Sequence, residues 1–174
     1  MDCKSGDTVF NQELCPDLVP MLYDEAMKAG VQILTYQGDG IAATKADDEY
    51  VEHEAFINKM PVVEYSDFKN QVEYPINKCL IVGDPEPLHK LELKLAAEME
   101  GKISVYRSAP FFLECVPLGI EKSQSIDKLI KTIGVKQEEV IAVGDGYNDM
   151  GMIQYAGLGV AMANAEEEVK TAAN

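Results

Sequence analysis

The chain has 174 residues, room for one or two domains, and 47% of them are hydrophobic, enough to form a core. Its formal charge of −15 argues against nucleic acid or an anionic membrane as partner, because phosphate surfaces select basic proteins. A signal peptide is absent, as is any apolar stretch near the ~18 residues of a membrane span, which points to a cytoplasmic protein.

In chain order, helices and strands alternate, which predicts an α/β fold. A first helix is expected from Asp17, with Pro20 tolerated in its first turn, Leu18, Leu22 and Ala26 on its apolar side, and Gly30 as its stop. Val31–Tyr36 reads as a strand, Gln37–Gly40 as a turn, and Ile41–Thr44 as an edge strand. An acidic helix over roughly Asp47–Lys59 precedes a short strand, Val62–Glu64, and a helical turn. After the strand Cys79–Val82, Asp84-Pro85 opens a helix carrying Leu88, Leu91, Leu95 and Met99 at helical spacing. Strands near Ile103–Arg107 and Phe111–Val116 complete this part, and Pro117-Leu-Gly119 is the expected boundary.

Lys122 then begins an amphipathic helix with Ile126, Leu129, Ile130 and Ile133 at i, i+3, i+4 and i+7, stopped by Gly134. A lysine in the first turn faces the positive end of the helix dipole, so it favours an anion nearby. Together with the helix N–H groups and the hydroxyls of Ser123 and Ser125 it could hold a phosphate; a solvated surface lysine is the plainer alternative. The run Val140–Val143 lacks alternation, as a strand covered on both faces would, and ends in Gly144-Asp-Gly-Tyr-Asn-Asp149. Gly144 and Gly146 suit a tight turn, and ligands bind at such strand ends in open α/β sheets. Asp145 and Asp149 are hard oxygen donors of the kind Mg²⁺ prefers, though a glycine turn with a capped helix would use the same residues. An EF-hand is excluded, since Tyr147 and Met150 occupy positions that need an oxygen ligand and a glycine.

A lysine about twenty residues before a strand and GDGYND is a sharper constellation than either part. Here the chain resembles the haloacid dehalogenase superfamily, specifically the Cof-type phosphatases with an α/β cap. The resemblance is carried by Gly119-Ile-Glu-Lys122-Ser-Gln-Ser, Leu129–Val135, Glu138–Ile153 and Gly159-Val-Ala-Met-Ala-Asn164-Ala. It implies that Lys122 binds phosphate, Asp145 is a late Mg²⁺ ligand and Asn148 contacts the phosphate. Asp149 would orient the metal's waters or the lysine from behind. Upstream, Leu34–Gln37, the acidic helix, Lys78–Pro85 and Val105–Cys115 resemble the cap's strands and helices. The implied organisation is a substrate-specificity cap over residues 1–116, followed by the C-terminal part of a Rossmann-like hydrolase core over 117–174. The implied reaction is hydrolysis of a small phosphorylated metabolite through an aspartyl-phosphate, with the cap closing to exclude water. Sugar phosphates, cofactor phosphates and nucleotides all suit the family.

The chain departs from the family at the start. Members begin with a strand ending in Asp-x-Asp-Gly-Thr, whose first Asp is the nucleophile, and that motif is absent here. Asp7-Thr8 and Asp39-Gly40 lack its spacing and read as turns; Met1–Phe10 resembles the point of entry into the cap. Loss of a nucleophile can cost about a million-fold in turnover. The expectation is therefore a truncated phosphatase, inactive alone, whose core strands expose an apolar edge that favours self-association. A non-catalytic cap-like binding module and one half of a split phosphatase remain open as alternatives.

Cysteines 3, 15, 79 and 115 form no Cys-x-x-Cys pair, so a zinc or redox motif is not indicated; Cys79 and Cys115 read as small core residues. His53 and His89 are isolated and read as surface or structural. Glu166-Glu-Glu168 reads as the start of a last helix capped by Asn164.

Overall fold

The computed structural model describes residues 4–8 and 10–174. Cys3 and part of the expected cap entry at Met1–Phe10 therefore lie outside the described residues. The chain divides into two compact units, Met1–Leu118 and Gly119–Asn174. No helix among the described residues is long and apolar enough to cross a membrane.

The first unit is built on six strands: β1 (Gln32–Gln37), β2 (Gly40–Ala43), β3 (Val62–Glu64), β4 (Cys79–Val82), β5 (Ile103–Ala109) and β6 (Phe112–Pro117). Their order is β3-β2-β1-β4-β6-β5, antiparallel throughout except for the parallel pair β2 and β3. The stretch expected as an edge strand, β2, is thus interior, because the three residues of β3 pair along its outer side. All four residues of β4 are buried, since this strand is covered on both faces.

Alternation along the strands separates two cores. Ile33, Ile81, Leu113 and Cys115 point to one face, where α1 (Val19–Ala29), α3 (Phe68–Gln71) and α4 (Pro85–Glu98) pack. Leu34, Leu80, Val82 and Phe112 point to the other, against α2 (Glu49–Asn58) through Val51. In α1 a 3₁₀ turn, Pro16–Leu18, precedes the helix proper, and Pro20 is harmless because N–H groups of a first turn have no helical acceptor. Gly30 ends it at φ 74°, a left-handed conformation that costs glycine little. Asp48 caps α2 by accepting the N–H groups of Tyr50 and Val51. In α4, Leu88, Leu91 and Leu95 are buried, each contributing about 1.5–3 kcal/mol relative to exposure.

Cys79 and Cys115 face each other directly across β4 and β6. Both are fully buried free thiols, and burial pushes Cys79 up to about 12 and Cys115 well above the ordinary range, so neither is reactive. His53 is exposed and lies against the rings of Phe111 and Phe112; His89 meets Glu92 one turn along α4.

The second unit consists of α5 (Lys122–Ile133), β7 (Ile141–Gly144), α6 (Met150–Tyr155), β8 (Leu158–Ala161) and α7 (Glu167–Ala172). β7 and β8 pair in parallel, with Ile141 opposite Leu158 and Gly144 opposite Ala161. Ile153, Ala165 and Val169 form a small core, and Ala142 and Gly159 turn to the covered side. On the other side Ile141 is 66% exposed, and Val143, Leu158 and Val160 are exposed with it. The expectation that Val140–Val143 is covered on both faces is therefore corrected for this structure: helices of the unit pack on one face of a two-stranded sheet, and the second face carries apolar side chains into the open.

Candidate active site

Parallel strands deliver their C-terminal ends to the same side, and Asp145 and Gly146 follow β7 there. Tyr147–Asp149 forms a 3₁₀ turn, closed by the Asp149 N–H donating to the Gly146 carbonyl at 2.9 Å, which leads into α6. That turn folds the Asp149 carboxylate back under the loop. Its Oδ2 accepts the backbone N–H groups of Asp145 at 3.0 Å and Gly146 at 3.2 Å. Its Oδ1 accepts the Nζ of Lys122, the first residue of α5.

Asp149 is only 6% exposed. Burial pushes its carboxyl up, but the Lys122 hydrogen bond and the two backbone N–H groups outweigh this and hold it below the usual carboxylate value. The anion that offsets a lysine at a helix N-terminus is, in this structure, Asp149. Room for it comes from Gly144: a Cβ there would lie 2.4 Å from the Asp149 Cβ. Gly144 and Gly146 both keep negative φ, so the expectation that they serve a tight turn is corrected at Gly144 to one of space.

Asp145 is placed differently. Its side chain is exposed at the strand end, and its Oδ2 accepts the Asn164 side-chain amide at 3.0 Å. The Asn148 amide folds over Gly146, with its Oδ1 2.7 Å from where a Cβ of that glycine would be. Lys122, Asp145, Asn148 and Asp149 are thus brought to one end of the sheet. Ser123 is not turned into this group: its hydroxyl lies against Gly151 of α6.

A family profile for haloacid dehalogenase-like hydrolases matches residues 2–174. The chain belongs to that family. Among solved structures, a haloacid dehalogenase-like hydrolase from Bacteroides thetaiotaomicron is 48% identical and superposes with a TM-score of 0.87, covering 98% of this chain and 64% of its own. The candidate phosphatase YxeH of Bacillus subtilis is 30% identical over 98% of this chain and 63% of its own length. A second Bacillus subtilis relative, the 5-amino-6-(5-phospho-D-ribitylamino)uracil phosphatase YcsE, is 41% identical over 48% of this chain and 32% of its own. The chain therefore spans less than two thirds of the length of each of these three relatives.

Within this hydrolase family member, the two aspartates have unlike capacity for a cation. Both oxygens of Asp149 accept hydrogen bonds, one from Lys122 and one from the loop, whereas among the described residues Asp145 Oδ1 has no partner and is open to a further one. Among the described residues no cluster of three or more His, Cys, Asp or Glu side chains could enclose a metal. One carboxylate with water and phosphate oxygens does fit Mg²⁺, which retains waters and takes few protein ligands.

Asn164 is the site residue that sequence reasoning missed. The expectation that it caps the last helix is corrected: α7 has Glu166 at its N-cap, and the Asn164 amide donates to Asp145. The available signal was the pairing of two short apolar strands, which puts the residues just beyond each side by side.

Proposed function

We propose that the chain is part of a Mg²⁺-dependent phosphomonoester hydrolase acting on a small phosphorylated metabolite. The observation that supports this best is the split of roles between Asp145, exposed with one oxygen uncommitted, and Asp149, which fixes Lys122 and the loop from beneath. In this reading residues 117–174 contribute the phosphate and metal half of the site, and residues 1–116 select the substrate. Lys122 lies half-exposed at a helix N-terminus, where its charge can stabilise negative charge developing on a transferring phosphoryl group. Asn148 offers an amide donor to the same group, and Asp149 keeps the lysine in place. Mg²⁺, held in part by Asp145, would supply Lewis-acid stabilisation of the phosphate oxygens.

The reading includes inactivity of these 174 residues by themselves, because the Asp-x-Asp-Gly-Thr pattern that carries the nucleophile in the family does not occur in them. The phosphatase names carried by YxeH and YcsE support the reaction class. A second reading, one component of a phosphatase assembled from separate pieces, is favoured by the open apolar face of β7 and β8.

The deciding experiment is hydrolysis of p-nitrophenyl phosphate, with and without Mg²⁺, by these residues alone and within the reading frame that encodes them. Turnover that needs Mg²⁺ and an added nucleophile segment supports the proposal. No turnover in any form would leave a binding module instead.

A further inference from the structure

We infer that Asn164 is a positioning residue that holds the carboxylate of Asp145 in the orientation that receives the metal ion. The inference rests on the reading of Asp145 as a ligand. It begins with the ladder between β7 and β8, which runs one step past the strands: the Met162 N–H donates to the Gly144 carbonyl at 2.9 Å. The chain then turns, closed by the Ala165 N–H on the Met162 carbonyl at 2.9 Å, and Ala165 is buried beside Ile153 and Val169. Asn164 therefore sits on a short turn fixed at one end by the sheet and at the other by the core. This brings its amide within 3.0 Å of Asp145 Oδ2.

The chemistry of the donor matters as much as its place. A carboxylate on an exposed strand end can rotate, and a single hydrogen bond to one oxygen removes that freedom while leaving lone pairs on the other. A neutral amide does this without cancelling the charge that attracts a cation, as a lysine would. Asp149 shows the contrast, since Lys122 and two backbone N–H groups engage both of its oxygens. Partners of ligating carboxylates typically change metal affinity by about 10- to 100-fold when removed.

The test uses the full 174-residue chain, ¹⁵N-labelled, with Mn²⁺ as a paramagnetic stand-in that also prefers oxygen ligands. Broadening of NMR signals detects a weakly occupied site. In the wild-type chain the amides of Asp145 and Gly146 and the Asn164 side chain should broaden at low Mn²⁺. Asn164→Ala should raise the Mn²⁺ needed at Asp145 by about 10-fold or more, with an unchanged thermal midpoint, and Asn164→Gln should recover part of the loss. Signals near Glu166–Glu168 serve as an internal reference for loose surface binding. Asn164→Ala indistinguishable from wild type overturns the inference while Asp145→Asn still abolishes the broadening. If Asp145→Asn leaves the broadening in place, Asp145 is not the ligand, and the functional reading falls together with the inference.

Discussion

Asp149 and Lys122, 27 residues apart in the chain, form an ion pair that ties the first turn of α5 to the loop after β7. The aspartate side is buried and the lysine side half-exposed, so the pair does not carry the full cost of a buried salt bridge. Lys122→Met should leave Asp149 charged and without its cation. We expect a loss of about 1–3 kcal/mol, read by chemical denaturation followed at signals from the second unit. An unchanged midpoint would mean that the two N–H groups suffice for Asp149.

Gly144→Ala tests the space beneath the loop. The new Cβ would meet the Asp149 Cβ, which cannot swing aside as a flexible tip could. Loop and carboxylate must shift, at a cost of about 1–3 kcal/mol. Thermal unfolding should show the loss, and NMR should show shifts at Lys122 as well as at the loop.

In a form of the protein that hydrolyses phosphomonoesters, Lys122→Ala and Asp145→Asn should each lower kcat by about a hundred-fold or more. Steady-state kinetics with saturating Mg²⁺ gives the comparison. Turnover near wild type in either variant removes that residue from the proposed chemistry.

Glu92 joins α4 to β5 by accepting the Arg107 backbone N–H at 3.0 Å and its Nε at 2.7 Å, along with a contact to His89. Burial pushes its carboxyl up, but the His89 and Arg107 bonds prevail and place it below the usual 4.5. A depressed carboxylate contributes stability that is present above the unfolded value and lost as pH falls through the folded one. Stability of the first unit should therefore decline below pH 4.5, the group's ordinary value, and Glu92→Gln should flatten that decline. Denaturation midpoints across the acid range measure the slope, and parallel curves for the two proteins would contradict the assignment.

Self-association through the β7 and β8 face is expected, because Ile141, Val143, Leu158 and Val160 present one apolar surface. Light scattering with size-exclusion chromatography should show mass rising with concentration. The double variant Val143→Lys, Val160→Lys should remain monomeric; a strict wild-type monomer at high concentration would refute the expectation.

Local signals in the sequence were sufficient for most elements. Gly30 and Gly134 end helices in left-handed conformations, Asp84-Pro85 opens α4, and alternating or continuous apolar runs locate the strands, because these effects act within a few residues. The Lys122 and GDGYND motifs likewise marked one end of β7 from spacing alone. What the sequence did not determine depends on which strands become neighbours. The parallel strand β3 makes β2 interior, helices packed on one face leave Ile141 and Val143 open, and the β7 and β8 ladder sets Asn164 against Asp145 instead of at a helix cap. Gly144 belongs to the same group, since its missing side chain matters only once Asp149 folds back over it. Hydrogen bonds between residues 19 or 27 apart leave no periodic trace in a chain, and only tertiary packing decides which of them form.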